Sequence, residues 1–267
     1  MQNLELILEK VKKLVLTASE IAVKRDFSVD EKESAINVVT TTDLNVQKFL
    51  VTNLKDLLPN AGFICEEENL LDTNKEYYWV IDPIDGTFNY VKGIPQVGIS
   101  VGLIKNNEPI LGAVTNPFNK DIYYALKGHG AYKNGKKITV SNTPFNKSLF
   151  CTAMSLYNKT LAKVCSDIIY ETYMQINDVR RFGSCALELC YLAEGVIDLF
   201  FEIRVFPWDY AGAFAILQEA GGRLCTLNLQ SPTFDSPNPL IGANNTENLL
   251  KLNDIISKYL KEKPYKE

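Results

Sequence analysis

The sequence predicts a mixed α/β (α+β) fold, and three observations predict it. Apolar residues recur at helical spacing over the first 25 positions, short β-like runs separated by turn signals fill the stretch from 62 to 138, and strand and helix patterns alternate from about residue 145 onward. With 267 residues, 46% hydrophobic and 22% charged, the chain can build a large shared core, and disorder, collagen-like repeats and coiled coil are excluded. No linker or internal repeat interrupts it, so residues 1–267 read as one unit of two subdomains, about 1–145 and about 146–267.

Leu4, Ile7, Leu8, Val11, Leu14, Val15, Ala18, Ile21 and Ala22 form the apolar stripe of a first amphipathic helix. A polar stretch through Lys32-Glu33-Ser34 leads to Val38-Val39-Thr40-Thr41-Thr42-Asp43, where Asp43 opens a second helix that Pro59 and Gly62 close. Strands are expected over 62–65, 77–81, 97–104, 110–114 and 122–125, followed by a hairpin between Tyr132 and Ile138 that turns at Asn134-Gly135. Beyond it come a strand near Phe150, a helix from about Lys159, helix over 184–193, strand over 198–201 and helix over 208–220 ending at Gly221-Gly222. A last strand over 240–243 and a last helix over 246–261 complete the pattern.

Composition narrows the function. The formal net charge is −4 and Lys and Arg are spread along the chain, leaving no basic stripe for a phosphate backbone, so nucleic acid is not the expected partner. No apolar run reaches the roughly 18 residues that span a bilayer, no secretory leader pattern is read at the start, and a cytoplasmic protein without a membrane partner is expected. Six cysteines at irregular spacing, without a C-x-x-C pair, read as small core residues. The single histidine, His129, lies in a turn-like Lys-Gly-His-Gly segment, which argues against Ser/His/Asp or Cys/His catalysis.

The chemistry is carried by carboxylates at element ends. In Trp79-Val80-Ile81-Asp82-Pro83-Ile84-Asp85-Gly86-Thr87, an apolar strand runs into two aspartates separated by a proline that ends the ladder. Two carboxylates converging in a partly buried cleft need a neutraliser, and Mg²⁺ with its all-oxygen ligand preference is the natural one. Gly86 permits close backbone approach, and the amides of Gly86 and Thr87, if they start a helix, point at an anion such as phosphate; an ordinary Asp-capped turn is the alternative. Glu66-Glu67-Glu68 follows the apolar 63–65 run, and Trp208-Asp209-Tyr210 places an aspartate at a helix start; a solvated charge run and an N-cap are the plainer readings of those two.

Taken together, the sequence resembles the inositol monophosphatase family of metal-dependent, lithium-sensitive phosphatases. Its two signatures are matched by Trp79-Val80-Ile81-Asp82-Pro83-Ile84-Asp85-Gly86-Thr87-Phe88-Asn89-Tyr90 and by Trp208-Asp209-Tyr210-Ala211-Gly212 through Glu219-Ala220-Gly221-Gly222, and the similarity runs across nearly the whole chain. The resemblance implies the layered αβαβα sandwich of the inositol monophosphatase and fructose-1,6-bisphosphatase type, two to three Mg²⁺ ions, and a homodimer. It implies that Glu66, Asp82 and the Ile84 carbonyl hold the first ion, that Asp82, Asp85 and Asp209 hold the second, and that a looser third lies near Glu66 and Glu67. By the same resemblance Asp43 and Thr87, with Glu67 beside them, would form the catalytic set that positions and deprotonates the attacking water. No protein nucleophile is needed, which suits a chain with one histidine. Phosphatases of the haloacid dehalogenase type also carry an aspartate before Asp-Gly-Thr, but with one residue between the two aspartates, whereas Pro83 and Ile84 both intervene here.

For the substrate, the resemblance implies contacts from Asp85, Gly86, Thr87, Gly183, Ser184, Cys185, Glu202 and Asp209. Glu202 would accept hydrogen bonds from ring hydroxyls of an inositol or sugar; a strand-end surface charge is its plainer reading. Cys185, where many members have alanine, and Arg204-Val205-Phe206-Pro207 depart from the commonest pattern and bear on that wall. Asn89-Tyr90 favours inositol 1-phosphate as the small phosphorylated substrate. NADP, fructose 1,6-bisphosphate, 3′-phosphoadenosine phosphate or histidinol phosphate are the other substrates in the family, and a non-catalytic regulatory protein is the alternative of a different class.

Overall fold

The structure is a computed structural model that describes residues 3–25, 27–34, 37–67, 75–155 and 158–264. Its first helix, α1 (Leu4–Ala22), begins at Asn3, whose side chain accepts the Leu6 N–H, and buries Ile7, Leu8, Val11, Val15 and Ala18 along one stripe. A two-stranded antiparallel ribbon, β1 (Val29–Ser34) and β2 (Asn37–Thr40), leads into α2 (Thr41–Leu57). The sequence pattern shows neither strand of the ribbon, because the Val-Asp-Glu-Lys-Glu-Ser run lacks the apolar alternation that marks a half-buried strand.

The main sheet has seven strands in the order β3 (Gly62–Cys65), β4 (Tyr77–Asp85), β5 (Gly98–Lys105), β6 (Glu108–Asn116), β7 (Asp121–Leu126), β8 (Gly130–Lys133), β9 (Lys136–Ile138). Only the β3/β4 pair is parallel; the others are antiparallel neighbours. Between β4 and β5 lies the short helix α3 (Thr87–Lys92). The second sheet follows the order β11 (Asp178–Arg180), β10 (Leu149–Thr152), β12 (Leu199–Val205), β14 (Asn238–Ala243), β13 (Arg223–Cys225). The remaining helices are α4 (Ala162–Tyr173), α5 (Cys185–Glu194), α6 (Pro207–Glu219) and α7 (Thr246–Ile256), so the final helix stops short of the expected Lys261.

Three apolar cores order these elements into five layers. One packs α1 and α2 on the first sheet through Val11, Leu50, Trp79, Ile81 and Val101. The second lies between the sheets, where Leu187 and Leu189 of α5 and Phe214 and Leu217 of α6 meet Val80 and Val114 on one side and Phe200 and Leu240 on the other. The third covers the far face of the second sheet with α4 and α7. The mixed α/β sandwich, αβαβα, is the fold the sequence predicts. All six cysteines are free and buried, as expected of core residues.

The inner helices press close to the first sheet because glycines face each other. A methyl group on Gly102 would come within 2.9 Å of the Gly212 nitrogen, and one on Gly112 would overlap the Gly212 carbonyl. This seam holds the N-terminal end of α6 against the centre of the sheet.

Candidate active site

The site forms where β3 and β4 end and where α5 and α6 begin. Every residue of β4 after Tyr77 is buried. Strict strand alternation would put Asp82 and Asp85 on opposite faces, since their separation is odd. The pairing with β5 shifts between them instead: Asp82 faces Ser100 and Asp85 faces Gly98, so three steps on β4 match two on β5. Pro83, which has no N–H to offer the ladder, sits inside this bulge. Both aspartates therefore turn toward α5 and α6. Gly86, at φ 90°, then reverses the chain into α3; a Cβ there would stand 2.8 Å from the Gly183 carbonyl.

Ligand oxygens of Asp82, Asp85 and Asp209 lie within 4.8 Å of one another. Each aspartate is also tied to the backbone. Asp82 accepts the Ile84 N–H at 3.0 Å, Asp85 Oδ2 accepts Ser184 Oγ and the Ala186 N–H at 2.7 Å, and Asp209 Oδ2 accepts the Phe206 N–H at 2.8 Å. Those bonds use one oxygen of each carboxylate. Glu66 follows the end of β3, its N–H bonded to the Ile81 carbonyl at 3.3 Å, and its carboxyl reaches that of Asp82. Gln47 on α2 holds the Glu67 backbone with two bonds, at 2.7 and 3.0 Å. Glu68 lies outside the described residues.

Asp43 is the third residue of α2 rather than its opening one. Thr40 caps the helix, and the Asp43 carboxylate returns bonds to the Thr40 N–H, at 2.9 Å, and hydroxyl. Thr87 Oγ1 stands 3.3 Å from the other Asp43 oxygen and 3.0 Å from the Ile84 carbonyl, joining three expected site positions through one hydroxyl.

Electrostatics show what this cluster lacks. Burial pushes Asp43 up to about 7, and Glu66 and Glu67 add to the rise. Burial likewise raises Asp85 to about 7, and it lifts Asp82 well above the usual carboxylate range with Glu66, Asp85 and Asp209 adding to it. Crowded, buried carboxylates of this kind resist losing their protons until a cation joins them. An all-oxygen donor set on convergent side chains fits a hard divalent ion.

On the opposite wall, Phe182–Ser184 arrives between Gly86 and α5. The Gly183 N–H and the Ser184 hydroxyl are both engaged by protein groups, Glu188 and Asp85 respectively. Cys185 is buried beside Glu202 and Asp209, and burial first, then those carboxylates, holds its thiol far above the ordinary range, so it stays protonated. Glu202 reaches the wall through a second bulge: on β12 it pairs with Leu240, and Val205 pairs with Asn238. Its carboxyl faces Glu188, and burial together with that neighbour keeps the proton on Glu202. Arg204, Phe206 and Trp208 stack in sequence, the two rings 4.9 Å apart and 7° from parallel.

Several residues that shape the site escape sequence reading. Glu188 is the clearest. It stands in Cys-Ala-Leu-Glu-Leu-Cys-Tyr-Leu, a helix with no other charged residue before Glu194, and a charge without a polar face around it is a sign of a buried, partnered carboxyl. Asn89, read only as part of a motif, donates to the carbonyls of Gln96 at 2.8 Å and Phe182 at 2.7 Å, stapling α3 to the opposite wall. His129 lies at the surface beside Glu5.

A layered αβαβα sandwich with converging aspartates at the end of a bulged strand defines a class of metal-binding phosphatase folds. The sequence model of the inositol monophosphatase family matches residues 2–259, and the chain belongs to that family. It is 36% identical over 223 residues to inositol monophosphatase 1 of Bos taurus, covering 80% of this chain and 79% of the relative. It is 32% identical over 228 residues to a fructose-1,6-bisphosphatase/inositol-1-monophosphatase of Aquifex aeolicus, covering 83% and 86%. The crystal structure of the extragenic suppressor protein suhB from Bartonella henselae superposes with a TM-score of 0.87 at 25% identity, covering 94% of this chain and 98% of that one. The family comprises phosphatases that act on small phosphorylated substrates and use metal ions. Among the described residues, no helix is long and apolar enough to cross a membrane.

Proposed function

We propose that this protein hydrolyses a small phosphomonoester in the cytoplasm, inositol 1-phosphate foremost, with Mg²⁺ as the metal and without a covalent intermediate. The convergence of Asp82, Asp85 and Asp209 beside the Asp43–Thr87 pair carries this reading. Glu66, Asp82 and the Ile84 carbonyl would hold one ion, Asp82, Asp85 and Asp209 another, and Glu66 with Glu67 a looser third. When bound, the ions supply charge neutralisation for the phosphate and make water a better nucleophile at neutral pH.

The chain's own residues then divide the work. Thr40 holds one oxygen of Asp43, leaving the other turned to Thr87, so that the proton lost by the attacking water passes to Asp43 directly or through Thr87 Oγ1. The amides of Gly86 and Thr87 face the phosphate at the start of α3. Gly183, Ser184 and Cys185 give the alcohol wall its shape, and Glu202 offers a carboxyl to ring hydroxyls. Two copies of the chain would form a homodimer, a state that light scattering resolves.

The test is a panel of phosphomonoesters at saturating Mg²⁺. Inositol 1-phosphate should show the highest kcat/KM, with lithium of millimolar order inhibiting and sodium doing so less. A larger value for NADP, fructose 1,6-bisphosphate, 3′-phosphoadenosine phosphate or histidinol phosphate would replace the substrate assignment, and the double name of the Aquifex relative makes the sugar bisphosphate the second reading. Absence of turnover on every ester would leave a regulatory protein.

A further inference from the structure

We propose that Glu188 is the positioning residue of the substrate wall: one carboxylate oxygen locks the Phe182–Gly183 turn against the Asp85–Gly86 turn, and the same carboxyl fixes Glu202. This inference rests on the phosphatase reading for its consequence in catalysis, and on hydrogen bonds alone for its structural part.

Glu188 is fully buried one turn into α5, where its own N–H bonds back to the Ser184 carbonyl at 2.9 Å. From there its Oε1 accepts two consecutive backbone N–H groups, those of Phe182 and Gly183, each at 2.8 Å. Successive amides converging on one oxygen make an anion-binding nest. Here the anion is an internal carboxylate, so the nest serves the loop's own conformation. The turn it fixes has three further attachments. Gly183 takes φ 85°, and its carbonyl abuts Gly86; Asn89 donates to the Phe182 carbonyl; Ser184 Oγ, immediately following, bonds Asp85 Oδ2. Thus the N–H side of the turn is held by Glu188 and the C=O side by the element that follows Asp-Gly-Thr.

The remaining oxygen, Oε2, is buried without a conventional donor among the described residues. The Glu188 carboxyl as a whole also faces that of Glu202, with the Cys151 thiol beside the pair. Two facing carboxyls bind each other only through a proton, and that bond fixes the rotamer of Glu202 on the bulged end of β12. A side chain carrying an acceptor on one atom and a donor on the other could perform both tasks, whereas a shorter or apolar one could perform neither.

That contrast sets the experiment. Glu188→Gln presents an amide oxygen to the two N–H groups and an amide N–H to Glu202; Glu188→Asp keeps the charge but loses the reach; Glu188→Leu removes every bond. Hydrogen exchange at the Phe182 and Gly183 amides reads the structural role without catalysis. Protection should persist in the glutamine variant and fall by about tenfold or more in the aspartate and leucine variants, the scale of a lost hydrogen bond to a charged group. On inositol 1-phosphate the glutamine variant should restore kcat/KM to near the parent value, while the aspartate and leucine variants fall by about tenfold or more, mainly in KM. Unaltered exchange and kinetics in Glu188→Asp, or equal losses in all three variants, overturn the proposal, and Glu188→Asp decides the matter if the leucine variant does not fold. A parent enzyme inactive on every phosphomonoester would overturn the phosphatase reading instead, while the exchange data would still decide the role of Glu188.

Discussion

Asp85 commits one of its two oxygens to Ser184 and the Ala186 N–H, which leaves the other for an ion. Replacing it by asparagine removes a negative charge, and the new amide can present a donor where Ala186 already donates. Asp85→Asn should lower kcat by orders of magnitude while circular dichroism stays native; turnover near the parent value at ordinary Mg²⁺ would remove Asp85 from the metal site. Glu202→Ala should raise KM for inositol 1-phosphate several-fold, about tenfold at most, as expected for the loss of a hydrogen bond from a neutral carboxyl, and change p-nitrophenyl phosphate hydrolysis little. Equal losses on both esters would make Glu202 a support and not a reader of ring hydroxyls. The acid cluster also fixes a sign for pH. In the ion-free folded chain Asp43 and Asp85 hold protons up to about 7, against 3.8 for an ordinary aspartate. The folded state then binds more protons between those values, so their contribution to stability is present at low pH and is lost as pH rises toward 7. Chelator-treated protein should therefore gain more in Tm from added Mg²⁺ at about pH 8 than at about pH 5. A gain that is larger at the acidic end would contradict the raised carboxyls.

At the scale of elements, the decisive contact is α6 on the first sheet. Gly102, Gly112 and Gly212 let the helix approach until Asp209 joins the two aspartates of β4. Gly112→Ala should cost about 1–3 kcal/mol by overpacking and weaken Mg²⁺ binding in a calorimetric titration, whereas Gly128→Ala, where nothing lies within 4 Å of the added methyl, should leave Mg²⁺ binding unchanged. A native ion affinity in Gly112→Ala would show that the seam does not position Asp209. The legible elements are those whose burial has a period. The stripe of α1, the apolar run of β4 and the Gly221-Gly222 stop after α6 all stand in the sequence. β1 and β11 are short, largely polar strands, β2 is a four-residue strand whose two adjacent valines carry no alternation, and α3 is a six-residue helix started by the left-handed Gly86. In the site, the carboxylates were readable because they follow apolar runs. Their convergence was not, because it depends on a register shift, and register is a property of two strands together. Glu202 was readable as a substrate contact through the resemblance or as a strand-end surface charge; that it faces Glu188 comes from β12 and α5 packing across the inner layer.

For the whole molecule, the middle layer belongs to both sheets. Its core mixes residues from β4 and β6 with residues from β12 and β14, through α5 and α6. Reversible denaturation should thus remove the near-ultraviolet signal of Trp79, buried on the first sheet, and that of Trp208, packed against the shared middle core from the first turn of α6, in one transition. Two separated transitions would show that the sheets fold apart. The order of synthesis adds a consequence. Asp43, Glu66, Asp82 and Asp85 leave the ribosome well before Asp209, and the second sheet still waits for β14, which inserts between β12 and β13 after both have been made. A growing chain can therefore hold only part of the ligand set while its inner layer lacks a wall. An ion held by that set would consequently act as a latch on the finished molecule and not as a template for its assembly.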